Sequence, residues 1–156
     1  MALQFIAPGD GTGSCMFYDT VTGEAGFAIK LINKTGGASI KGYTCDAATG
    51  TDKAFKYTTV NEIDCIGICM ETGIVDGQPV WIAVQGKVLV YFSGDTVRGH
   101  YARIGVDADT GEVAGQAISE AIPTSPFSVD KHFAEIGHVI EARSGAGLAM
   151  VVLHFN

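Results

Sequence analysis

Apolar residues in this chain come in short runs that alternate with glycine-bearing turns. The runs are rich in β-branched and aromatic residues and recur about every 8–15 residues, which is typical of a sandwich or barrel. Glycine, at 21 of 156 positions, supplies the positive φ that tight reversals need. The pattern predicts strands at residues 14–20, 26–33, 39–46, 54–59, 64–71, 79–85, 87–92, 101–107, 113–118, 135–142 and 147–155. We therefore expect an all-β fold: a compact β-sandwich or barrel, of the jelly-roll or β-tulip kind, with at most one short helix.

Two stretches lack the strand pattern. Residues 1–13 contain Pro8 and a glycine-rich run, and we interpret them as an extended, flexible N-terminal arm that precedes a single β domain at 14–156. Residues 123–133 contain two prolines, and Ser128 is placed to cap a single helical turn. A domain boundary at 73–78 is the alternative, although neither half is clearly large enough to fold alone.

The last dozen residues, 145–156, form an apolar, β-favouring run that reaches the end of the sequence. Chain ends fray unless they are tied into a sheet. We therefore expect this run to be docked, either in its own fold or against a neighbouring subunit.

The amino-acid composition excludes some classes of function. The formal net charge is −7, and the ten lysines and arginines are scattered. Nucleic-acid binding through phosphates needs a basic face, so we expect no nucleic-acid partner. No apolar run approaches the roughly 18 residues of a membrane span, and the N-terminus lacks the regions of a secretory signal, so no membrane association is expected. Because only 17% of residues are charged, we expect part of the surface to be hidden in a homo-oligomer.

The four cysteines are Cys15, Cys45, Cys65 and Cys69. Without an export signal, they are expected to be reduced, buried thiols. Cys65 and Cys69 share one face of a predicted strand but lie about 13 Å apart along it, too far for a disulfide or a shared metal.

Two patterns suggest metal binding, and each has a structural alternative. Residues 107–112 resemble the start of a calcium loop, but Ile118 stands where its last glutamate is expected, and a hairpin turn explains the same residues. A zinc site would have to gather the four histidines, which are His100, His132, His138 and His154. None of them shows the i,i+4 spacing of a helical metal motif. We expect these side chains to pack or hydrogen-bond, with no metal or other cofactor.

The most apolar part of the chain carries Trp81, Tyr91, Phe92 and, a little further on, Tyr101. Core packing is favoured for them over an aromatic sugar-binding groove. The following loop, residues 94–99, presents Arg98 as a structural group or a subunit contact. Every cysteine lies in an apolar setting that raises rather than lowers a thiol pKa, so no Cys–His nucleophile is predicted and we expect no enzyme.

Several segments resemble small decoration, or cement, proteins of tailed-bacteriophage heads. These are Gln-Pro-Val-Trp-Ile-Ala-Val at 78–84, Lys-Val-Leu-Val-Tyr-Phe at 87–92, Arg-Gly at 98–99, and the closing run from His132 to Asn156 with its Glu-Ile-Gly-His and Leu-His-Phe-Asn motifs. A segment at 41–71 is similar to the middle of these proteins. The likeness covers roughly residues 39–156.

The resemblance implies a β-rich protein, commonly trimeric, that binds the outer surface of the assembled head and stabilises the shell by bridging capsomers. Its partners would be the major capsid protein and further copies of itself, its place the outer capsid surface of the virion, and its site of synthesis the host cytoplasm. The family supplies no catalytic residues. As capsid or subunit contacts we predict Leu3, Phe5, Ile6, Pro8, Arg98 and Phe155. The arm would add strand-type hydrogen bonds to the shell.

Two other functions remain open from the residues. One is a carbohydrate- or receptor-binding β module displayed on a virion or tail, which would need a groove of exposed aromatic residues. The other is a small hydrolase using histidine and aspartate, which would need a pocket that gathers those groups with perturbed pKa values.

Overall fold

A computed structural model describes residues 3–6, 13–105, 109, 113–122, 124 and 129–155. The described elements are the strands β1 Leu3–Ile6, β2 Ser14–Asp19, β3 Ala25–Asn33, β4 Thr44–Ala47, β5 Ala54–Tyr57, β6 Gly67–Cys69, β7 Pro79–Phe92, β8 Tyr101–Ile104, β9 Ala117–Glu120, β10 Glu135–Val139 and β11 Gly147–Leu153, and the helix α1 Val129–Phe133. The expected all-β, sandwich- or barrel-like class is confirmed. The helix lies where a single turn was predicted; its predicted cap, Ser128, lies outside the described residues.

The strand pairings close two rings that share β7. In the first ring, β3, β5, β4 and β6 follow one another to β7, which pairs back with β3. In the second ring, β11, β10, β8 and β9 follow β7, and β9 returns to it through the pair Phe92–Ala117. β2 and then β1 continue outward from β3, so β1 ends the sheet.

β7 serves both rings because it bends at Gly86. The chain was expected to form two strands here, at 79–85 and 87–92, and that division was wrong. Gly86 has a φ of +112° yet stays paired with Gly26 on one side and Leu153 on the other. A Cβ on Gly86 would lie 2.2 Å from the carbonyl oxygen of Ala25, so only glycine fits the crossing of β3 and β7.

The apolar residues form two cores, a smaller one inside the first ring and a larger one that also takes in residues of β1, β2 and β3. The smaller core contains the buried residues Cys45, Phe55, Cys69, Val80 and Ile82. The larger core includes Val88, Val90 and Phe92 of β7 together with Ile104, Ile136, Val139, Ala149 and Val151. Before the bend, Val80 and Ile82 face the smaller core while Trp81 and Ala83 pack in the larger one; after the bend, the buried positions of β7 all belong to the larger core.

Three predicted strands begin three or more residues later in the structure than expected. The strand expected at 39–46 begins only at Thr44, because Gly42 takes a φ of +89°. The strand expected at 64–71 pairs only over Gly67–Cys69. The strand expected at 113–118 is shifted to Ala117–Glu120, because Gly115, with a φ of +80°, forms a turn before it.

Both ends of the described chain lie in the sheet. Leu3–Ile6 were assigned to a flexible arm, but they form β1 and pair antiparallel with β2, Leu3 opposite Asp19 and Ile6 opposite Met16. The rest of that arm, residues 7–12, lies outside the described residues. At the other end, β11 lies between β7 and β10, so the C-terminal run is docked in its own fold.

Candidate interaction surface

A row of exposed apolar side chains crosses the outer face of β1, β2 and β3. Ile6 is directly opposite Met16, and Met16 is directly opposite Phe27. Their side chains are 54%, 54% and 44% exposed, although cross-strand neighbours of this type normally cover one another against a core. Tyr18, two residues from Met16, is exposed on the same face.

The same face continues onto the second ring. Tyr18 is opposite Ala25, Ala25 is opposite Lys87, and Lys87 is opposite Val152 on β11. Val152 is also exposed and is opposite His138 on β10. We call Ile6, Met16, Tyr18, Phe27 and Val152 the outer apolar patch. Other exposed apolar residues, such as Val21 and Val75, lie in turns between strands.

The residues predicted as contacts are distributed differently. Ile6 lies in the outer apolar patch, and Arg98 is exposed in the loop between β7 and β8. Leu3, Phe5 and Phe155 are only partly exposed and pack against the larger core. Pro8 lies outside the described residues.

The inner face of β1 is covered by the core and cannot contact a partner, as the packing of Phe5 shows. Its ring stacks on Trp81 with centroids 5.2 Å apart and an interplanar angle of 17°, and tilts against Phe17 at 6.4 Å. Trp81 in turn lies beneath the ammonium group of Lys30, 4.8 Å from its centroid.

Sequence reasoning did not identify Met16, Tyr18 and Phe27 as members of an exposed surface. In 14–19 every second residue is buried, yet the residues between them are also apolar or aromatic. A half-buried strand with an apolar outer face differs from the usual alternation and is the signal that points to a contact surface.

Two buried ionic groups tie parts of the sheet together. The carboxylate of Glu24, which is almost fully buried, pairs with Lys41 Nζ at 2.7 Å and accepts the backbone N–H of Leu89 at 3.1 Å. Glu24 therefore ties the β2–β3 turn to β7.

Arg103 on β8 is the second group and is 2% exposed. It donates to both carboxylate oxygens of Asp109, each at 2.7 Å, and to Glu120. Burial alone would lower the pKa of Arg103, but the hydrogen bonds to these two carboxylates outweigh it and raise the pKa. Asp109 belongs to the calcium-loop pattern, and its carboxylate is thus engaged by arginine; most of that pattern lies outside the described residues.

The histidines are partly brought together. Glu135 Oε1 lies 3.1 Å from His154 Nε2 and 3.6 Å from His138 Nε2, and the two imidazole centroids are 4.6 Å apart. His132 on α1 is at the margin, its Nδ1 4.0 Å from Glu135 Oε2. His100 lies apart from this group, with Nδ1 3.2 Å from the hydroxyl of Ser119.

Sequence reasoning missed Glu135 because residues three apart on a regular strand point to opposite faces. The register of β10 shifts between Glu135 and Gly137, which are opposite Arg103 and Ala102. This bulge places Glu135 and His138 on one face.

The aromatic residues considered for a sugar-binding groove do not share a surface. Phe92 and Tyr101 are buried, Trp81 is stacked with Phe5, and Tyr91 packs edge-on against Tyr43 at 5.5 Å. The recess between residues 58–60, 104–105 and 113–116 has a volume of about 10 Å³, room for about one water molecule.

Cys45 and Cys69 lie in the smaller core, and Cys15 lies in the larger core. All four cysteines are free, and Cys15, Cys45 and Cys69 are buried. Burial raises the pKa of the Cys45 thiol well above its usual value, which makes it a poor nucleophile. The expectation that every thiol pKa is raised was wrong for Cys69, because a hydrogen bond with the Cys45 thiol lowers the pKa of Cys69. Among the described helices, none is long and apolar enough to cross a membrane.

Comparison with known proteins gives a likeness of fold. No family model matches the chain, and no curated protein is significantly similar to it in sequence. Among solved structures, the chain is similar to the N base of head fiber gp8.5 from bacteriophage phi29, with a TM-score of 0.56 and 14% identity. The match covers 81% of this chain and 92% of the phi29 chain. The two proteins thus share their fold over nearly the whole of the phi29 base.

Proposed function

We propose that this protein is a bacteriophage head protein that binds the outer surface of the shell and stabilises it as a decoration protein. The fold likeness to the phi29 head fiber base carries the proposal, since that protein belongs to the head of a phage. The finer assignment to decoration comes from the motif-level resemblance of residues 39–156 to phage decoration proteins, which the sequence comparisons do not reproduce. In this proposal the protein catalyses no reaction, and its partner is the major capsid protein.

The outer apolar patch is the surface that we assign to shell contact. Its members lie on paired strands, so the sheet holds them in place and little side-chain or backbone order has to be gained on binding. Ile6, Met16 and Phe27 form an unbroken apolar row. The exposed Lys87, on the same face between Ala25 and Val152, offers a cation to an acidic group of the partner. An apolar centre with a polar rim is the usual composition of a stable protein interface.

Shell stabilisation follows from repetition of this contact. A subunit that joins with others of its kind, as a trimer, engages several capsomers at once, and linked weak contacts then bind far more tightly than one. Arg98, exposed in the β7–β8 loop, is the residue we assign to contact between subunits.

A co-sedimentation assay tests the assignment. Heads assembled without this protein are mixed with the purified chain and pelleted, and bound protein is measured against concentration. We expect saturable binding that the substitution Phe27→Asp weakens at least about tenfold, because a charge would be buried at the centre of the contact.

Val75→Asp is the matched control. Val75 is 60% exposed in the turn before β7, outside the outer apolar patch, so the variant should bind as the parent protein does. Failure of the parent protein to bind heads would contradict the proposed function. Unchanged binding of Phe27→Asp would contradict the assigned surface.

A further inference from the structure

The cluster of Glu135, His138 and His154 has the composition of a transition-metal site. Zinc in proteins is held by imidazole nitrogens and carboxylate oxygens, and two histidines with one glutamate form a known ligand set that leaves a fourth position open. The three ligating atoms here, one from each side chain, all lie within 4.8 Å of one another.

The distances also fit a tetrahedral ion. With metal–ligand bonds of about 2.0–2.2 Å, two ligands of a tetrahedral zinc lie roughly 3.4 Å apart. The distances from Glu135 Oε1 are 3.1 Å to His154 Nε2 and 3.6 Å to His138 Nε2, on either side of that value. Only the two imidazoles need to approach each other for an ion to be enclosed.

A second observation concerns His154 Nε2. This atom is shielded from solvent and finds no well-oriented hydrogen-bond partner among the described residues, although Glu135 Oε1 is near. A buried polar atom without a partner is rare in proteins and needs an explanation. A metal ion bound between the imidazole and the carboxylate supplies one.

The backbone holds the three ligands in place. His138 lies on β10 opposite Val152, and the N–H of His154 donates to the carbonyl of Ile136 at 3.0 Å. Glu135 reaches the same face through the bulge in β10. Glu135 and His138 thus lie on β10, and His154 directly follows β11, the strand paired with it.

We infer that Glu135, His138 and His154 form a binding site for a divalent transition-metal ion of the zinc class, with the fourth coordination position open to solvent. The His138 and His154 side chains are 50% and 40% exposed, so the cluster lies at the surface of the protein. The site adjoins Val152 of the outer apolar patch, but its existence does not depend on the proposed function.

Titration of the free protein with zinc chloride at pH 7.5, followed by calorimetry, tests the inference. We expect saturable binding of one Zn²⁺ per chain, weakened at least about tenfold by His138→Ala and by His154→Ala, since loss of a ligand costs at least as much as loss of a supporting residue. Calcium chloride should give no such binding, because imidazole is a poor ligand for Ca²⁺.

His100→Ala is the matched control, since this variant removes a histidine that lies outside the cluster. It should bind zinc as the parent protein does. Circular dichroism checks the folding of each variant, and the exposed His138 decides the result if His154→Ala does not fold. Absence of saturable zinc binding, parent-like binding by His138→Ala, or an equal loss in His100→Ala would each overturn the inference.

Discussion

Phe5 and Ile6 are neighbours in the sequence that have opposite roles. On β1, Phe5 faces inward and packs on Trp81 and Phe17, whereas Ile6 faces outward opposite Met16. The alternation of a strand thus divides one short apolar segment between the core and the exposed face that we propose for binding.

This division predicts different effects of two alanine substitutions. Phe5→Ala should lower the free energy of unfolding by about 2–3 kcal/mol, somewhat less than for a fully buried phenylalanine. Ile6→Ala should change it by less than about 0.5 kcal/mol but weaken binding to heads. Urea unfolding and the co-sedimentation assay measure the two effects. Equal destabilisation by both variants would contradict the orientation of β1.

Glu62 predicts a pH dependence of stability. Partial burial raises the pKa of this carboxyl, but hydrogen bonds from Lys56 Nζ and from the N–H of Thr59 outweigh it and hold the pKa below its usual 4.5. A pKa that is lower in the folded state stabilises the protein above pH 4.5, and this contribution is lost as the pH falls through the folded-state value.

The substitution Glu62→Gln removes this contribution. The variant should be less stable than the parent protein at pH 7, and the difference should shrink as the pH falls below 4.5. Asp52→Asn removes the same charge from an exposed position and is the matched control. A constant difference between Glu62→Gln and the parent protein at every pH would contradict the account.

At the scale of the element, β7 decides the architecture. It is 14 residues long, takes part in both rings, and contributes to both cores. Gly86 both approaches Gly26 closely and has a positive φ.

Gly86→Ala should therefore be strongly destabilising. The positive φ costs about 1–2 kcal/mol for alanine, and overlap with the carbonyl of Ala25 adds about 1–3 kcal/mol. Gly77→Ala is the control, because Gly77 has a similar φ of +87° with no atom near its missing Cβ, and should cost only the first amount. Equal unfolding free energies for the two variants would show that β7 does not cross β3 as described.

The sequence predicts where the strands lie better than it predicts which strands pair. Strand positions follow from apolar runs and glycine turns, and β2, β3, β5 and β11 lie close to where these signals predict. The pairings β3–β7 and β7–β9, which close the two rings, join residues far apart in sequence, about which local periodicity carries no information. The Glu135–His138–His154 cluster was hidden for the same reason, since it depends on a bulge and on the pairing of β10 with β11.

At the scale of the whole molecule, the two rings form one sheet with a broad outer face. Every member of the outer apolar patch lies on strands linked by direct pairing from β1 to β11. A surface built in this way is presented as a unit, which suits contact with another large surface better than recognition of a small ligand.

Association with further copies of the chain is predicted on this scale. Light scattering of the purified protein should give about three times the chain mass of 16.3 kDa, in line with the proposed trimer. Arg98→Glu, which reverses the charge at the assigned subunit contact, should shift the mass toward that of one chain. A parent protein of 16.3 kDa in solution would contradict the trimer.

The most direct test of the central claim is the copy number of this protein in virions of the phage that encodes it. Quantitative mass spectrometry of purified particles, calibrated on the major capsid protein, measures it. A protein that covers the outer surface of the head should be present in hundreds of copies per particle. Its absence from the particles, or a few copies only, would contradict a decoration role.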